Sequence, residues 1–411
     1  MTERVDAVVV GAGPAGTAAA ITLRRASLRV TVVDRARFPR DKCCGDGLTA
    51  AALRRLEELG LDPEGVASWT GIDRIRLRGP TGRVVQLSLP ADGLHAAVAR
   101  RSDLDAALVD LARRAGADVR EGTAPERLEV TDGGAVVTTP AATLATPYVV
   151  AADGAWSPTR KLVGGPGAPY LGDWHAMRQY VTGVDDDACR HLWVWFEPDL
   201  LPGYAWSFPM AGGAVNFGYG IPRRSGERSG PMGHLWAALW ERPHIRAVLG
   251  RSARPEGPVR AWPIPATVDP DLVAGAGGRV LYVGDAARLA DPMTGEGIGQ
   301  ALESGVAAAA AILTAGRDRP ELAAAHYREE MRAGVLSDNR LAALLSRLLG
   351  RAAGARGALA LVGSSAWTRG NFARWMFEDY PRAVLATPGR WRRNMLTPAG
   401  AYGAVDILPR P

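Results

Sequence analysis

Gly11, Gly13 and Gly16 stand in a GxGxxG run completed by Ala12, Pro14 and Ala15. In that spacing the first glycine permits a tight turn, the second lets backbone approach a pyrophosphate, and the third lets a helix pack close to a strand. The helix start then offers free N–H groups and the positive end of its dipole to phosphate. Asp34, with Arg35 beside it, follows eighteen residues after Gly16. A carboxylate there accepts hydrogen bonds from a ribose diol and repels a 2′-phosphate. Far downstream, Gly284 and Asp285 end another apolar run, and Pro292, Gly295, Glu296, Gly297 and Ile298 lead into an alanine-rich segment. An acid at a strand end can bind a ribityl hydroxyl. A glycine-rich helix start can approach a flavin ring and stabilise negative charge on its reduced edge. No second GxGxxG appears in strand–helix context, so one dinucleotide has a dedicated site, and FAD is the one both regions suit.

These residues need a strand, a turn, a helix and a second strand around them, and the pattern supplies all four. Residues 6–10 form an apolar run ending at Gly11, residues 17–23 are small and apolar at helical spacing, and residues 30–33 make a second run stopped by Asp34. That is one βαβ unit. Residues 48–59 and 104–114 read as helices closed by Gly60 and Gly116, and residues 72–89 as antiparallel strands. Further strand runs lie at 135–139, 148–151, 191–196, 214–220 and 280–283, with a helix at 299–313. Residues 323–361 read as helical, and the chain beyond Tyr380 is punctuated by Pro, Gly and Arg. The predicted fold class is α/β. A Rossmann-type FAD-binding domain (1–70, 95–165 and 270–320) is interleaved with an antiparallel-sheet substrate domain (71–94 and 166–269). A helical C-terminal segment with a basic tail (321–411) follows.

Composition narrows the classes further. The 411 residues are 47% hydrophobic and 22% charged, which excludes whole-chain disorder and collagen-like repeats. No run approaches the roughly 18 uninterrupted apolar residues of a spanning helix; the nearest is 306–313. Acidic Glu3 and Asp6 beside the first strand argue against a signal peptide. The formal charge is +6, yet all of the 49 basic residues except Lys42 and Lys161 are Arg, and they are mixed with acids along the chain. No nucleic acid is therefore expected as a partner. Cys43, Cys44 and Cys189 build neither a disulfide framework nor a zinc spacing, so no metal and a cytoplasmic location are expected.

The motifs, in this order, resemble the FAD-dependent oxidoreductases of the para-hydroxybenzoate hydroxylase superfamily, and within it the geranylgeranyl reductase family. The resemblance covers about residues 4–310. Arg101, Leu104 and Asp105 are similar to the family's R-x-x-L-D stretch, which implies Arg101 at the FAD pyrophosphate. Asp153 and Gly154 resemble its second flavin motif, near FAD and the nicotinamide path, and Gly284 with Asp285 its third. Residues 44–48 are similar to the CGDGL that bacterial members carry beside the flavin, which brings Cys44 and Gly45 to the cofactor. Tyr204, Trp206, Phe208 and Pro209, then Gly218 and Gly220, resemble the reductase pattern YxWxFP…GxG, whose strands line a cavity for an isoprenoid tail. Aromatic walls suit a polyprenyl chain, which has only apolar surface to offer. Alternating Tyr and Trp on a strand can equally be plain sheet core.

The resemblance implies hydride transfer from reduced flavin N5 to a carbon–carbon double bond of a small hydrophobic, isoprenoid-containing substrate. NAD(P)H is the implied electron donor, with ferredoxin as another. Cys44 is then a candidate catalytic proton donor, or else a small residue that permits close packing. The alternative is a single-component monooxygenase that hydroxylates or epoxidises an aromatic, indole or terpenoid product through a C4a-hydroperoxide. The Glu296–Gly297–Ile298 sequence, with Gly299 where such hydroxylases usually carry Asn, leans toward the reductase. Halogenation needs a lysine close to the substrate, and none lies between Lys42 and Lys161. Trp174, Trp193, Trp195 and Trp262 are either an aromatic pocket or scattered core. His175 and His191 form no useful pair. Beyond Pro381, Arg382, Arg390, Arg392, Arg393 and Arg410 face a single acid, Asp406, with Trp391 among them. That stretch is either a solvated basic tail or a peripheral contact with an anionic membrane.

Overall fold

The structure, a computed structural model, describes residues 2–164, 170–223 and 232–403. Its centre is a six-stranded sheet in the order Ala274–Gly275, Val280–Tyr282, Val149–Ala151, Ala7–Val10, Val30–Asp34 and Asp118–Glu121. All pairings are parallel except the first. The four inner strands are buried along their whole length and, apart from Thr31 and Asp34, apolar, because both of their faces are covered. The helices Pro14–Arg25 and Ile298–Ala315 cover one region side by side, and a Cβ on Gly305 would stand 2.2 Å from the Ala15 carbonyl oxygen. Ile298–Ala315 is long and apolar enough to cross a membrane by length and composition, which the uninterrupted-run criterion did not register, but most of it is buried inside the protein.

A seven-stranded sheet lies in the order Arg254–Ile264, Trp174–Thr182, Ala214–Pro222, Tyr204–Met210, Leu192–Trp195, Arg74–Arg78 and Val84–Ser88. It is antiparallel apart from the parallel pairing of Leu192–Trp195 with Arg74–Arg78, where the chain returns to the sheet from a distant segment. The expected helix at 48–59 begins later. Gly47–Thr49 is a short strand paired with Ala96–Val98, and Thr49 caps the helix Ala50–Glu58 by accepting from the Ala52 N–H.

The helical C-terminal stretch divides into Pro320–Ala333, Val335–Leu349, Ala352–Val362 and Ala366–Met376, with breaks at Gly334, Gly350 and Gly363. Residues 381–403 are not a free tail. Arg382 is buried in ion pairs with Asp291 and Glu378, and Arg390 pairs with Asp338. Leu94 and Ala401 exchange backbone hydrogen bonds, and the Tyr402 hydroxyl donates to the Leu61 carbonyl. Of the described arginines in this stretch, Arg392 and Arg393 are the exposed ones; Asp406 and Arg410 lie outside the described residues.

Candidate active site

One cavity of about 710 Å³ runs from the first glycine turn to the seven-stranded sheet. At its first end Gly11, Gly13, Pro14 and Ala15 form the wall. Gly11 has φ +103°, and a Cβ there would meet the Ala152 carbonyl oxygen at 2.3 Å. A Cβ on Gly16 would sit 1.8 Å from the Gly11 oxygen, so this glycine lets the helix close on the turn and does not itself face the cavity. Gly13 differs: its nearest neighbour on that side is Arg40 Nη2 at 3.6 Å, and the space beyond is cavity. The helix that follows has no side-chain cap, which leaves its first N–H groups free for an anion. Asp34 Oδ2 accepts from the Ala12 N–H and Oδ1 from the Ala36 N–H, both at 2.7 Å. Each oxygen keeps a second lone pair for a diol, and Arg35 stands next to it on the wall.

Arg101 lines the cavity, but its fork is held by Asp105, with Nε and Nη2 donating at 2.9 and 2.8 Å. The same fully buried carboxylate pairs with Arg40 at 2.8 Å. Two guanidinium groups at one wall make this the cationic end of the site. Arg40 carried no motif; only its place in the loop before Cys43 brings it there. Asp153 also faces the cavity. Its Oδ2 accepts from the Thr159 N–H at 2.7 Å, while Oδ1 is buried without a partner among the described residues, and burial raises its carboxyl above the usual range. Gly154, at φ +84°, turns the chain beside it. Asp285 is paired with Lys42 at 2.7 Å. Gly284, at φ +56°, and Pro292 shape their turns without lining the cavity, whereas Gly295, Gly297 and Ile298 line it.

The helix start after Gly297 departs from expectation. Its first free N–H groups, those of Ile298 and Gly299, donate to Glu296 Oε1 at 2.9 and 3.0 Å. The chain's own carboxyl therefore satisfies the N–H groups expected to face a ligand's negative edge. Burial, with Glu378 and Asp291 close by, pushes the Glu296 carboxyl up to about 8.

Cys44 and Gly45 lie between the two ends of the cavity. Burial pushes the Cys44 thiol up from its ordinary value. This loop is tied to the sheet by residues that the sequence reading gave no role. Asn216 Nδ2 donates to the Cys44 carbonyl and to Asp46 Oδ2, each at 2.9 Å, and its Oδ1 accepts from Trp206 Nε1 at 3.0 Å. The Tyr180 hydroxyl donates to the same Asp46 oxygen, and burial pushes Asp46 up to about 6. Cβ atoms on Gly45 and Gly47 would approach Phe208 to 3.4 and 3.3 Å, so the glycines let the loop lie against that ring.

Tyr204, Trp206 and Phe208 occupy alternate positions of one strand and so share a face, and all three line the cavity. Successive ring centroids are 5.9 Å apart. The Tyr204 hydroxyl donates to the Thr294 carbonyl, joining this wall to the Glu296 turn. Gly220 lines the cavity, but Gly218 does not: a Cβ there would stand 2.4 Å from Trp206 Cζ2, so Gly218 makes room for the indole. The four scattered tryptophans divide. Trp174 and Trp262 line the cavity, the latter packed on Trp156 at 4.5 Å. Trp193 and Trp195 stack on each other at 5.5 Å in a separate core with Phe217, because their side of the strand faces away.

The residues present fit FAD. An open glycine cradle, two guanidinium groups, the Asp34 carboxylate with lone pairs to spare and an Asp153 Oδ1 without a partner among the described residues line one cavity. The profile of the FAD binding domain family matches residues 4–335. The chain belongs to this family. It is an FAD-dependent oxidoreductase. It is 33% identical to a menaquinone reductase of Mycolicibacterium smegmatis over 77% of this chain and 78% of that protein. It is 31% identical to a digeranylgeranylglycerophospholipid reductase of Methanothrix thermoacetophila, over 76% of this chain and 78% of the relative. Among solved structures, a geranylgeranyl bacteriochlorophyll reductase-like protein of Thermoplasma acidophilum superposes with a TM-score of 0.74 at 22% identity, covering 95% of this chain and all of the other. That likeness concerns the fold.

Proposed function

We propose that this oxidoreductase saturates a carbon–carbon double bond in a hydrophobic, isoprenoid-bearing substrate, with NAD(P)H as the electron donor. FAD, when bound, takes two electrons from the donor and passes them on as hydride. The observation that carries the reading is the continuous wall of Tyr204, Trp206, Phe208, Trp174 and Trp262 that meets the glycine-rich flavin turn at Gly295 and Gly297. The names of the relatives at 31–33% identity point to the same substrate class. In this assignment Gly11, Gly13 and the helix start at Pro14 hold the pyrophosphate with Arg40 and Arg101 beside it. Asp34 takes the adenosine ribose, and Asp285 and Asp153 lie along the rest of the cofactor. The aromatic strand excludes water from the prenyl tail, at about 25 cal/mol per Å² of apolar surface buried.

The substrate class requires extraction from lipid, and the C-terminal helices are proposed to meet it. Leu344 and Leu348, one turn apart, are exposed with Leu361, Trp367 and Trp391. Exposed Arg347, Arg351, Arg392 and Arg393 accompany them. From residue 339 to 403 the chain's only acids are Glu378 and Asp379, which are engaged in internal ion pairs. Arginine near an anionic surface contributes about 1 kcal/mol each. Co-sedimentation with anionic but not zwitterionic vesicles is the expected outcome.

The function is tested with FAD-loaded protein, NADPH and a prenylated naphthoquinone or a geranylgeranyl phospholipid, with and without oxygen. Anaerobic NADPH oxidation matched by saturation of the lipid supports the reductase. Turnover that requires oxygen and adds one oxygen atom to the product refutes it in favour of a monooxygenase. Saturation with reduced ferredoxin but not NADPH overturns only the donor.

A further inference from the structure

Reducing a double bond takes a hydride at one carbon and a proton at its neighbour, and the cavity must hold the proton in a dry place. Glu296 is placed for this. It lines the cavity, and its Oε1 accepts the Ile298 and Gly299 N–H groups, as the carbonyl oxygen of a neutral carboxyl would. No partner is found for Oε2 among the described residues, and this oxygen is free to carry the proton.

The surroundings favour the neutral form. Glu378, brought in by the C-terminal segment, accepts from Gln300 Nε2 and Thr49 Oγ1, each at 3.0 Å. Asp291 lies on the same turn as Glu296, and its Oδ1 accepts from the Met293 and Thr294 N–H groups. Arg382 is the cation of this cluster, 2.9 Å from Asp291 and 3.3 Å from Glu378. Asp338, itself paired with Arg390, also faces Arg382 and Glu378. The cations of the cluster are thus engaged by other carboxylates, and Glu296, beside Glu378 and Asp291, cannot ionise at low cost. From the opposite wall Tyr204 and Cys44 face Glu296, with Arg101 behind Cys44. Neither competes as an acid, because burial drives both the Cys44 thiol and the Tyr204 phenol upward, away from neutrality.

We propose that Glu296 is the acid that protonates the substrate, and that Glu378 is a positioning residue that keeps it protonated. This rests on the reductase reading above. In the step, the π bond breaks, one carbon gains the hydride that originates in NAD(P)H, and its neighbour forms a C–H bond with the Glu296 proton. Glu296 is left as a carboxylate and recovers a proton from water, so each turnover consumes one NAD(P)H and one proton.

Glu296→Gln keeps the Oε1 acceptor that caps the helix and removes only the acid. With FAD-loaded protein, the infrared carbonyl absorption of protonated carboxyls should contain a component that is present near pH 6.5, fades as pH rises through about 8, and is missing in E296Q. In anaerobic single turnovers with NADPH and a geranylgeranyl phospholipid, E296Q should saturate lipid at least about 100-fold more slowly. Its rate of flavin reduction should stay within about twofold. Glu378→Gln should move the basic limb of the lipid-saturation profile to lower pH, which a structural role alone would not do. An E296Q that saturates lipid at the wild-type rate, or that keeps the component fading near pH 8, overturns the assignment. If wild-type protein reduces its flavin yet leaves the lipid unsaturated, the reductase reading itself fails and the catalytic step falls with it.

Discussion

Replacing Arg382 by alanine tests whether the C-terminal stretch is part of the site. The Arg382 side chain is 1% exposed, with Nε 2.9 Å from Asp291 Oδ2 and Nη2 3.3 Å from Glu378 Oε1. Asp291 is equally buried at its side chain. The substitution leaves two carboxyl groups without their cation. Breaking one buried pair costs about 3–5 kcal/mol. Glu378 softens this loss, because burial already raises its carboxyl and a proton can replace the missing charge. A cost of about 3 kcal/mol, or roughly 150-fold in the folding equilibrium, is the expected value. Arg390→Ala breaks a pair whose partners are 24% and 20% exposed, and should cost about 1 kcal/mol or less. Arg392→Ala, at an exposed position, should cost nothing measurable. Urea unfolding of the three variants gives the order directly. The double variant D291N/R382M should recover part of the loss, since the amide keeps the Oδ1 acceptor for Met293 and Thr294 and removes a charge. If R382A unfolds within about 1 kcal/mol of R392A, the buried-pair reasoning is wrong and the stretch behaves as a solvated tail.

Three further outcomes are expected. Gly13→Ala should leave the stability of FAD-free protein unchanged, since its Cβ meets only Arg40 at 3.6 Å, yet weaken FAD binding at least about tenfold in a fluorescence titration. Gly16→Ala, 1.8 Å from the Gly11 oxygen, should instead lower the melting temperature sharply; equal stability of the two variants would refute this division of roles. Gly218→Ala should displace the Trp206 indole and its hydrogen bond to Asn216, costing about 1–3 kcal/mol and raising KM for lipid, with flavin reduction unaffected. Stability should fall as pH rises from 5 to 8. The folded values of Asp46, about 6, and Glu296, about 8, lie above the ordinary carboxylate range, so the folded state holds protons that the unfolded state has released. This contribution is complete below about pH 4 and is lost through the folded values. Urea midpoints that rise over this interval, or a slope unchanged in E296Q, would contradict it.

The parts legible in the sequence are those imposed by local geometry. GxGxxG could be read because each glycine answers a short-range demand: φ +103° at Gly11, an open cradle at Gly13, contact with the Gly11 oxygen at Gly16. Alternation put Tyr204, Trp206 and Phe208 on one face. The same periodicity put Trp193 and Trp195 together but could not say which face meets the cavity, since that depends on which strand lies beyond. Arg40, Asp46, Tyr180 and Asn216 were missed because their partners are distant in the chain. Asn216 left a trace, as a lone amide inside the apolar run 214–217, and Asp46 another, as an acid between two glycines. The solvated-tail alternative fails at Arg382 and Arg390 for the same reason: counting charges after Pro381 omits Asp291 and Asp338, the acids that these two arginines meet.

The distribution of these partners explains why the last segment matters to a site built mostly upstream. The family match ends at residue 335, yet Glu378 and Arg382 lie beyond it and close over the turn that carries Glu296. That turn holds itself through Asp291, whose Oδ1 organises Met293 and Thr294 while its other oxygen pairs with Arg382. Tyr204 grips the same turn from the seven-stranded sheet through the Thr294 carbonyl. The flavin-side helix, the aromatic wall and the C-terminal segment therefore converge on residues 291–299, where one added or removed charge changes whether Glu296 keeps its proton. A turn so held can present an acid in an apolar cavity without collapsing onto it, which is what protonating an unpolarised double bond requires.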